Sequence, residues 1–195
     1  MRNQALQEFL DAARAAYSHC ARDPKSIALL ERVFSTLEVP AQGTQPDSGR
    51  LPVCRYLPDI TEPSDHDAPE LRQVMQAFRG IEPALRWRRR QGSCSGASEG
   101  FAESHANAMI VGPDGLEPRD DVWLGVSLLG PNVQYPDHRH PPEEVYLVMS
   151  PGDFRQGLNA WVHVARGETH YNPHNIVHAM RSADRPLLAF WALKE

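Results

Sequence analysis

Tyr135-Pro136-Asp137-His138-Arg139-His140-Pro141-Pro142-Glu143-Glu144-Val145-Tyr146 brings two histidines, adjacent glutamates and two tyrosines into one short stretch. In an extended chain residues i and i+2 share a face, so His138 and His140 point the same way. After the Pro-Pro turn, Glu144 and Tyr146 form a second such pair, with Glu143 and Val145 turned away. Two imidazoles and a carboxylate make a borderline-hard donor set suited to a divalent metal ion such as Zn, Fe(II), Mn or Ni. Sites of this composition take a further histidine from a distant strand and leave positions open for substrate.

Short apolar runs flank this stretch. Segments 108–111, 122–129, 144–150, 160–165, 175–180 and 187–193 read as strands. Turn signals part them, among them Pro113-Asp114-Gly115, Gly130-Pro131-Asn132, Pro151-Gly152-Asp153 and Asp184-Arg185-Pro186. Regularly spaced short strands predict a β-sandwich or barrel over 106–195. Residues 1–105 read as a helical extension packing on that barrel. Asn3 is a candidate N-cap, followed by Leu6, Phe9, Leu10, Ala13 and Tyr17 on one helix face. A second helix opens at Asp23-Pro24, carries Leu30, Val33, Phe34 and Leu37, and stops before Pro40. Residues 41–64 are rich in Pro, Gly and Asp and predict a loop, with a short strand at 51–56. A third helix follows Pro69 with Leu71, Val74, Met75 and Phe78 on one side, and 81–87 predicts a further helical turn. The basic run Arg86-Trp87-Arg88-Arg89-Arg90 reads as a solvated helix end, where cations favour the helix dipole.

A chain of 195 residues can bury a sizeable core without disulfide staples. Its net charge of −5 argues against nucleic-acid and anionic-membrane partners. The 17 prolines argue against an all-helical fold. The start, MRNQALQEFL, has no apolar run resembling a signal peptide, and no later stretch reads as a membrane span. Cys20, Cys54 and Cys94 are odd in number and lack CxxC spacing, which reads as reduced thiols in a cytoplasmic protein.

The histidine motif and a second one downstream resemble those of the cupin superfamily. The first cupin motif, G-x5-HxH-x3,4-E-x6-G, falls on Gly130, His138-x-His140-x3-Glu144 and Gly152, with both glycine spacers lengthened to seven. The second, G-x5-P-x-G-x2-H-x3-N, falls on Gly167-x5-Pro173-x-Asn175-x2-His178, with Asn175 in place of glycine and Ser182 in place of the final asparagine. Asparagine tolerates the left-handed backbone that glycine supplies. The resemblance implies a mainly β fold: a double-stranded β-helix or jelly-roll barrel, preceded here by the α-helical segment. It also implies a divalent metal on His138, His140, Glu144 and His178. His163 could face the barrel interior, His170 and His174 lie in the connecting turn, and His19, His66 and His105 read as ordinary surface or helix residues.

Tyr135, His138-x-His140, Pro141-Pro142-Glu143-Glu144 and Tyr146 together look like the cupin-type dimethylsulfoniopropionate lyases of the small DddQ group. That likeness implies cleavage of dimethylsulfoniopropionate to acrylate and dimethyl sulfide by β-elimination. It places metal ligands on His140, Glu144 and His178, the base on Tyr146 and a mobile pocket tyrosine on Tyr135, and it has the metal bind the substrate carboxylate. His138 is a ligand in the general cupin pattern and a pocket residue in this group. The metal would be Zn, Fe(II) or Mn, and cupins commonly pair as homodimers. Aromatic faces favour a sulfonium cation, and Trp123, Trp161, Tyr135 and Trp191 are the candidates. Two alternatives stand beside this reading. One is a cupin Fe(II) dioxygenase or isomerase acting on a different small organic acid, the other a non-catalytic ligand-binding cupin.

Overall fold

Asn3 and Asp23 open the first two helices through their side chains. In the computed structural model, which describes residues 2–43, 47–92 and 94–194, α1 spans Gln4–Cys20 and α2 spans Pro24–Leu37. The Asn3 side chain accepts the N–H of Ala5 at 2.9 Å, and Asp23 accepts that of Ser26 at 3.1 Å, satisfying otherwise orphaned amides. Pro24 sits in the first turn of α2, where its missing N–H costs nothing. After a short α3 (Leu57–Ile60), α4 runs over Pro69–Ile81 and buries Leu71, Val74, Met75 and Phe78. The helices expected from Asn3, Asp23 and Pro69 are therefore present.

Two expectations in this half are corrected. Residues 51–56 do not form a strand. Pro52 fixes a helical φ, and Pro52–Tyr56 closes as a 3-10 turn with Cys54 N–H donating to Leu51 O at 2.9 Å. The basic run is not a helix end either. The helix gives way to a 3-10 turn at Glu82–Ala84, and Trp87–Arg88 becomes strand β1. Buried Trp87 donates its indole N–H to Glu82 at 2.9 Å, so an apolar residue inside the basic run decides its conformation. The centre of the expected loop, residues 44–46, lies outside the described residues.

A short α5 (Phe101–Ser104) leads into the barrel strands β2 (His105–Val111), β3 (Trp123–Leu129), β4 (Glu143–Val148), β5 (Gly152–Gln156), β6 (Val162–Val164), β7 (Thr169–Asn172), β8 (His178–Arg181) and β9 (Leu187–Lys194). They form a six-stranded antiparallel sheet in the order β1-β2-β3-β9-β4-β7 and a three-stranded sheet in the order β6-β5-β8. The two sheets make the jelly-roll barrel that the cupin resemblance implies, preceded by the helical segment. Strands β5 and β7 escaped the sequence reading. The first begins inside an apparent Pro-Gly-Asp turn, and Thr-His-Tyr-Asn lacks apolar alternation.

The six-stranded sheet is covered on both faces, which explains its long apolar runs. Leu124, Val126, Leu128, Val145, Leu147, Leu188, Phe190 and Ala192 join the helices in one core. Leu129, Tyr146, Val148, Leu187 and Ala189 face the barrel interior. Phe190 is the hinge pin of the helical layer, its ring centroid 5.6 Å from Phe9 and 5.1 Å from Phe78. Truncating such a fully buried ring costs about 3–5 kcal/mol. Among the described residues no helix is long and apolar enough to cross a membrane.

Candidate metal centre

Strand alternation on β4 turns Glu144 and Tyr146 into the barrel while Val145 packs on the helices, as the i, i+2 spacing requires. His138 lies before β4 and forms an antiparallel bridge with His178, the first residue of β8. Asn175 precedes His178 with φ 56°, the left-handed conformation expected where the cupin motif has glycine. Ser182, standing where that motif has asparagine, ties the same region down. Its hydroxyl donates to Gly130 O at 2.6 Å and accepts from Val133 N–H at 2.9 Å.

Each motif histidine engages Nδ1 with a backbone carbonyl at 3.0 Å: His138 with Pro136, His140 with Pro142 and His178 with Ile176. Those contacts assign the proton to Nδ1 and leave the Nε2 lone pair as the free donor. The ligand atoms of the three histidines lie within 4.8 Å of one another. Glu144 Oε2 lies 3.2 Å from His178 Nε2 and 3.4 Å from His140 Nε2, yet both Nε2 atoms are buried without an aligned hydrogen-bond partner. Converging lone pairs beside a carboxylate fit a divalent cation.

The carboxylate is itself oriented. Asn172 Nδ2 donates to Glu144 Oε2 at 2.9 Å, and Gln156 Nε2 donates to Asn172 Oδ1 at 2.9 Å. Supporting hydrogen bonds of this kind fix a ligand's direction. Burial works against the Glu144 charge, but the imidazoles of His140 and His178 outweigh it and hold the carboxyl far below its usual range. Burial and then the charge of His178 push His138 down to about 3. Its ring therefore stays neutral, as a metal ligand must be.

Tyr146 and Tyr135 both reach this interior. Burial, followed by the charge of Glu144, raises the Tyr146 phenol well above its ordinary value. The Tyr135 ring lies 4.9 Å from that of His138, and its hydroxyl accepts from Asn107 Nδ2 at 2.8 Å. A cavity of about 210 Å³ joins both tyrosines to His138, His140 and Glu144, walled by Arg90, Asn107, Ser127, Trp123 and Trp191. A second cavity of about 420 Å³ shares Trp123 and Leu193 with it and holds none of the histidines. Trp191 can lie across the β-sheet because its cross-strand partner is Gly125, where a Cβ would sit 2.2 Å from the indole. Trp191 Nε1 donates to Ser127 Oγ at 3.1 Å, which in turn donates to Asn107 Oδ1 at 2.8 Å. A hydrogen-bonded chain thus runs from Trp191 to the Tyr135 hydroxyl.

Other sequence expectations part from this geometry. His163 does not face the interior: it is exposed and bonds Asp153 at 3.1 Å. Trp161 does not line the cavity, and the guanidinium groups of Arg155 and Arg181 lie 4.7 and 4.4 Å from its ring centroid. His174 is exposed, and His170 is paired opposite Tyr146 on β7 rather than lying in a turn. His19 and His66 are exposed, as expected. His105 is not a surface residue but is 2% exposed, stacked on Phe101 at 3.6 Å. Sequence reasoning also missed Arg90, Asn107, Ser127 and Asn172. Asn107 and Ser127 carried a usable signal, as lone polar residues on one face of apolar strands.

Residues 25–189 match the sequence profile of the dimethylsulfoniopropionate lyase family. The curated dimethylsulfoniopropionate lyase DddQ of Ruegeria pomeroyi is 28% identical over 118 residues, or 60% of this chain. That alignment spans 58% of the relative's own length. The crystal structure of DMSP lyase DddQ from the same organism superposes with a TM-score of 0.70 at 21% identity, covering 99% of this chain and 92% of that one. A structure reported with the DMSP lyases RdDddP and RnDddQII gives 0.69 at 23% identity, covering 98% and 92%. At these identities the structural likeness is one of fold.

Proposed function

Because the chain belongs to the dimethylsulfoniopropionate lyase family, we propose that its barrel cavity cleaves dimethylsulfoniopropionate to dimethyl sulfide and acrylate with a divalent metal ion. The observation that carries this reading is the convergence of the three histidines on Glu144, with His138, His140, Glu144 and Tyr146 lining one cavity. His140, Glu144 and His178 are the ligands, and the closeness of the His138 and His178 rings, 4.0 Å between centroids, supports His138 as a further donor. When bound, the cation supplies positive charge that offsets charge developing on the substrate carboxylate and favours the phenolate of Tyr146.

Tyr146 removes a proton from the carbon next to the carboxylate. The electron pair left behind forms the carbon–carbon double bond of acrylate as the neighbouring carbon–sulfur bond breaks. Dimethyl sulfide departs with the electrons of that bond, and the proton ends on the Tyr146 oxygen. Tyr135, its oxygen anchored by Asn107, keeps its own O–H free to orient the substrate. The indole faces of Trp123 and Trp191 provide a surface that favours the sulfonium. Protein loaded separately with Fe(II), Mn, Zn, Co or Ni and given dimethylsulfoniopropionate should release dimethyl sulfide above a chelator-treated control. Release with none of these metals would remove the reading.

A further inference from the structure

Of the consecutive arginines that end the basic run, two are paired and one is not. Arg88 meets Asp114 at 2.9 Å and Arg89 meets Glu103 at 2.7 Å, both at the surface. Arg90 turns to the cavity, and among the described residues no carboxylate pairs with it. Its Nε is buried without a hydrogen-bond partner, and its guanidinium lies 5.6 Å from the Tyr135 ring centroid. The position is built rather than incidental. Arg90 N–H donates to His105 Nε2 at 2.8 Å, while the other nitrogen of this buried ring engages Phe101 O at 2.6 Å. A guanidinium that is partly desolvated, fixed at its backbone and left without a counter-ion is a receptor for a planar anion. Glu144 also lines the cavity, but it is already committed to Asn172, His140 and His178.

We propose that Arg90 binds the carboxylate of the substrate and makes the cavity selective for short carboxylates over ligands that carry only the cationic end. The cavity is polarised accordingly. Arg90 follows β1 at the edge of the six-stranded sheet, and Trp191 lies on β9, three strands from β1 and about 14 Å away by strand spacing. Charge recognition at one wall and an aromatic face at the other suit a short zwitterion. The identity of that zwitterion rests on the lyase reading, but carboxylate recognition by Arg90 does not.

The test compares wild type, Arg90→Gln and Arg90→Lys, each metal-loaded and checked for folding by circular dichroism. Acrylate, propionate and trimethylsulfonium are titrated while tryptophan fluorescence is followed, and lyase kinetics are measured with dimethylsulfoniopropionate. The Gln variant should bind acrylate and propionate about tenfold to a hundredfold more weakly, with trimethylsulfonium unchanged and the lysine variant in between. The same substitution should raise KM more than it lowers kcat. Acrylate that fails to bind wild type, or binds the Gln variant within twofold of it, overturns the inference. An equal loss for trimethylsulfonium also overturns it, because a merely structural arginine would behave that way. Arg90-dependent acrylate binding in a wild type that releases no dimethyl sulfide would sink the lyase reading and leave this one standing.

Discussion

His138 and His178 exchange both of their backbone hydrogen bonds, His138 N–H to His178 O at 3.0 Å and His178 N–H to His138 O at 2.8 Å. A directly opposed antiparallel pair points its two side chains to the same face, and the imidazole centroids stand 4.0 Å apart. The two histidine motifs are thus joined by main chain before any metal binds. His178 is therefore held by the fold, while its Nε2 is kept free for a ligand role.

His178→Ala should lower bound metal at least tenfold, since it removes one of the converging Nε2 donors while the backbone pairing persists. Elemental analysis of purified protein reads this directly. Metal retained at the wild-type ratio would take His178 out of the ligand set.

Asn172→Ala should weaken metal binding without touching a proposed ligand. It removes the N–H that orients Glu144, while Gln156 Nε2 keeps its bond to Tyr171 O at 2.6 Å, so about tenfold in affinity is expected. Competition with a chromophoric chelator measures the change, and an unaltered affinity would mean that Glu144 needs no orienting partner.

Stability should fall in mild acid through His170. Burial, then the charge of His178, pushes its pKa down to about 4, against about 6.5 in the unfolded chain. The unfolded state therefore binds a proton that the folded state refuses. The stabilisation is complete above about pH 6.5 and is lost as pH falls towards 4, by up to about 3 kcal/mol. The Tm of His170→Gln should decline less over that interval than the Tm of wild type. Parallel declines would exclude His170 as the source.

Gly125→Ala should displace Trp191, because the new Cβ would collide with the indole on the neighbouring strand. Destabilisation of about 1–3 kcal/mol is expected from overpacking, together with a raised KM for a cationic substrate. Urea denaturation and steady-state kinetics read the two effects separately. A variant with unchanged KM would show that the Trp191 face does not contact substrate.

Much of this architecture was legible because its signals are local. Caps at Asn3 and Asp23, the i, i+2 pairs His138/His140 and Glu144/Tyr146, and the two-sided apolar runs of β3 and β9 depend on near neighbours alone. What escaped depends on tertiary partners. Strand β7 is Thr-His-Tyr-Asn and pairs because β4 offers it a ladder, not because its own residues alternate in hydropathy. Arg90 sits among arginines that are solvated, and its difference from them arises from the buried His105 that fixes its backbone. His105 in turn looks like any histidine before a strand until Phe101 stacks upon it.

The most direct test of the account sets wild type beside Tyr146→Phe at equal metal content. Each is given dimethylsulfoniopropionate, with headspace dimethyl sulfide measured by gas chromatography and acrylate by liquid chromatography. Wild type should release the two products in equal amounts, and the phenylalanine variant should be slower by about a hundredfold or more. Neither product from the metal-loaded wild type, or full activity in the variant, would contradict the account.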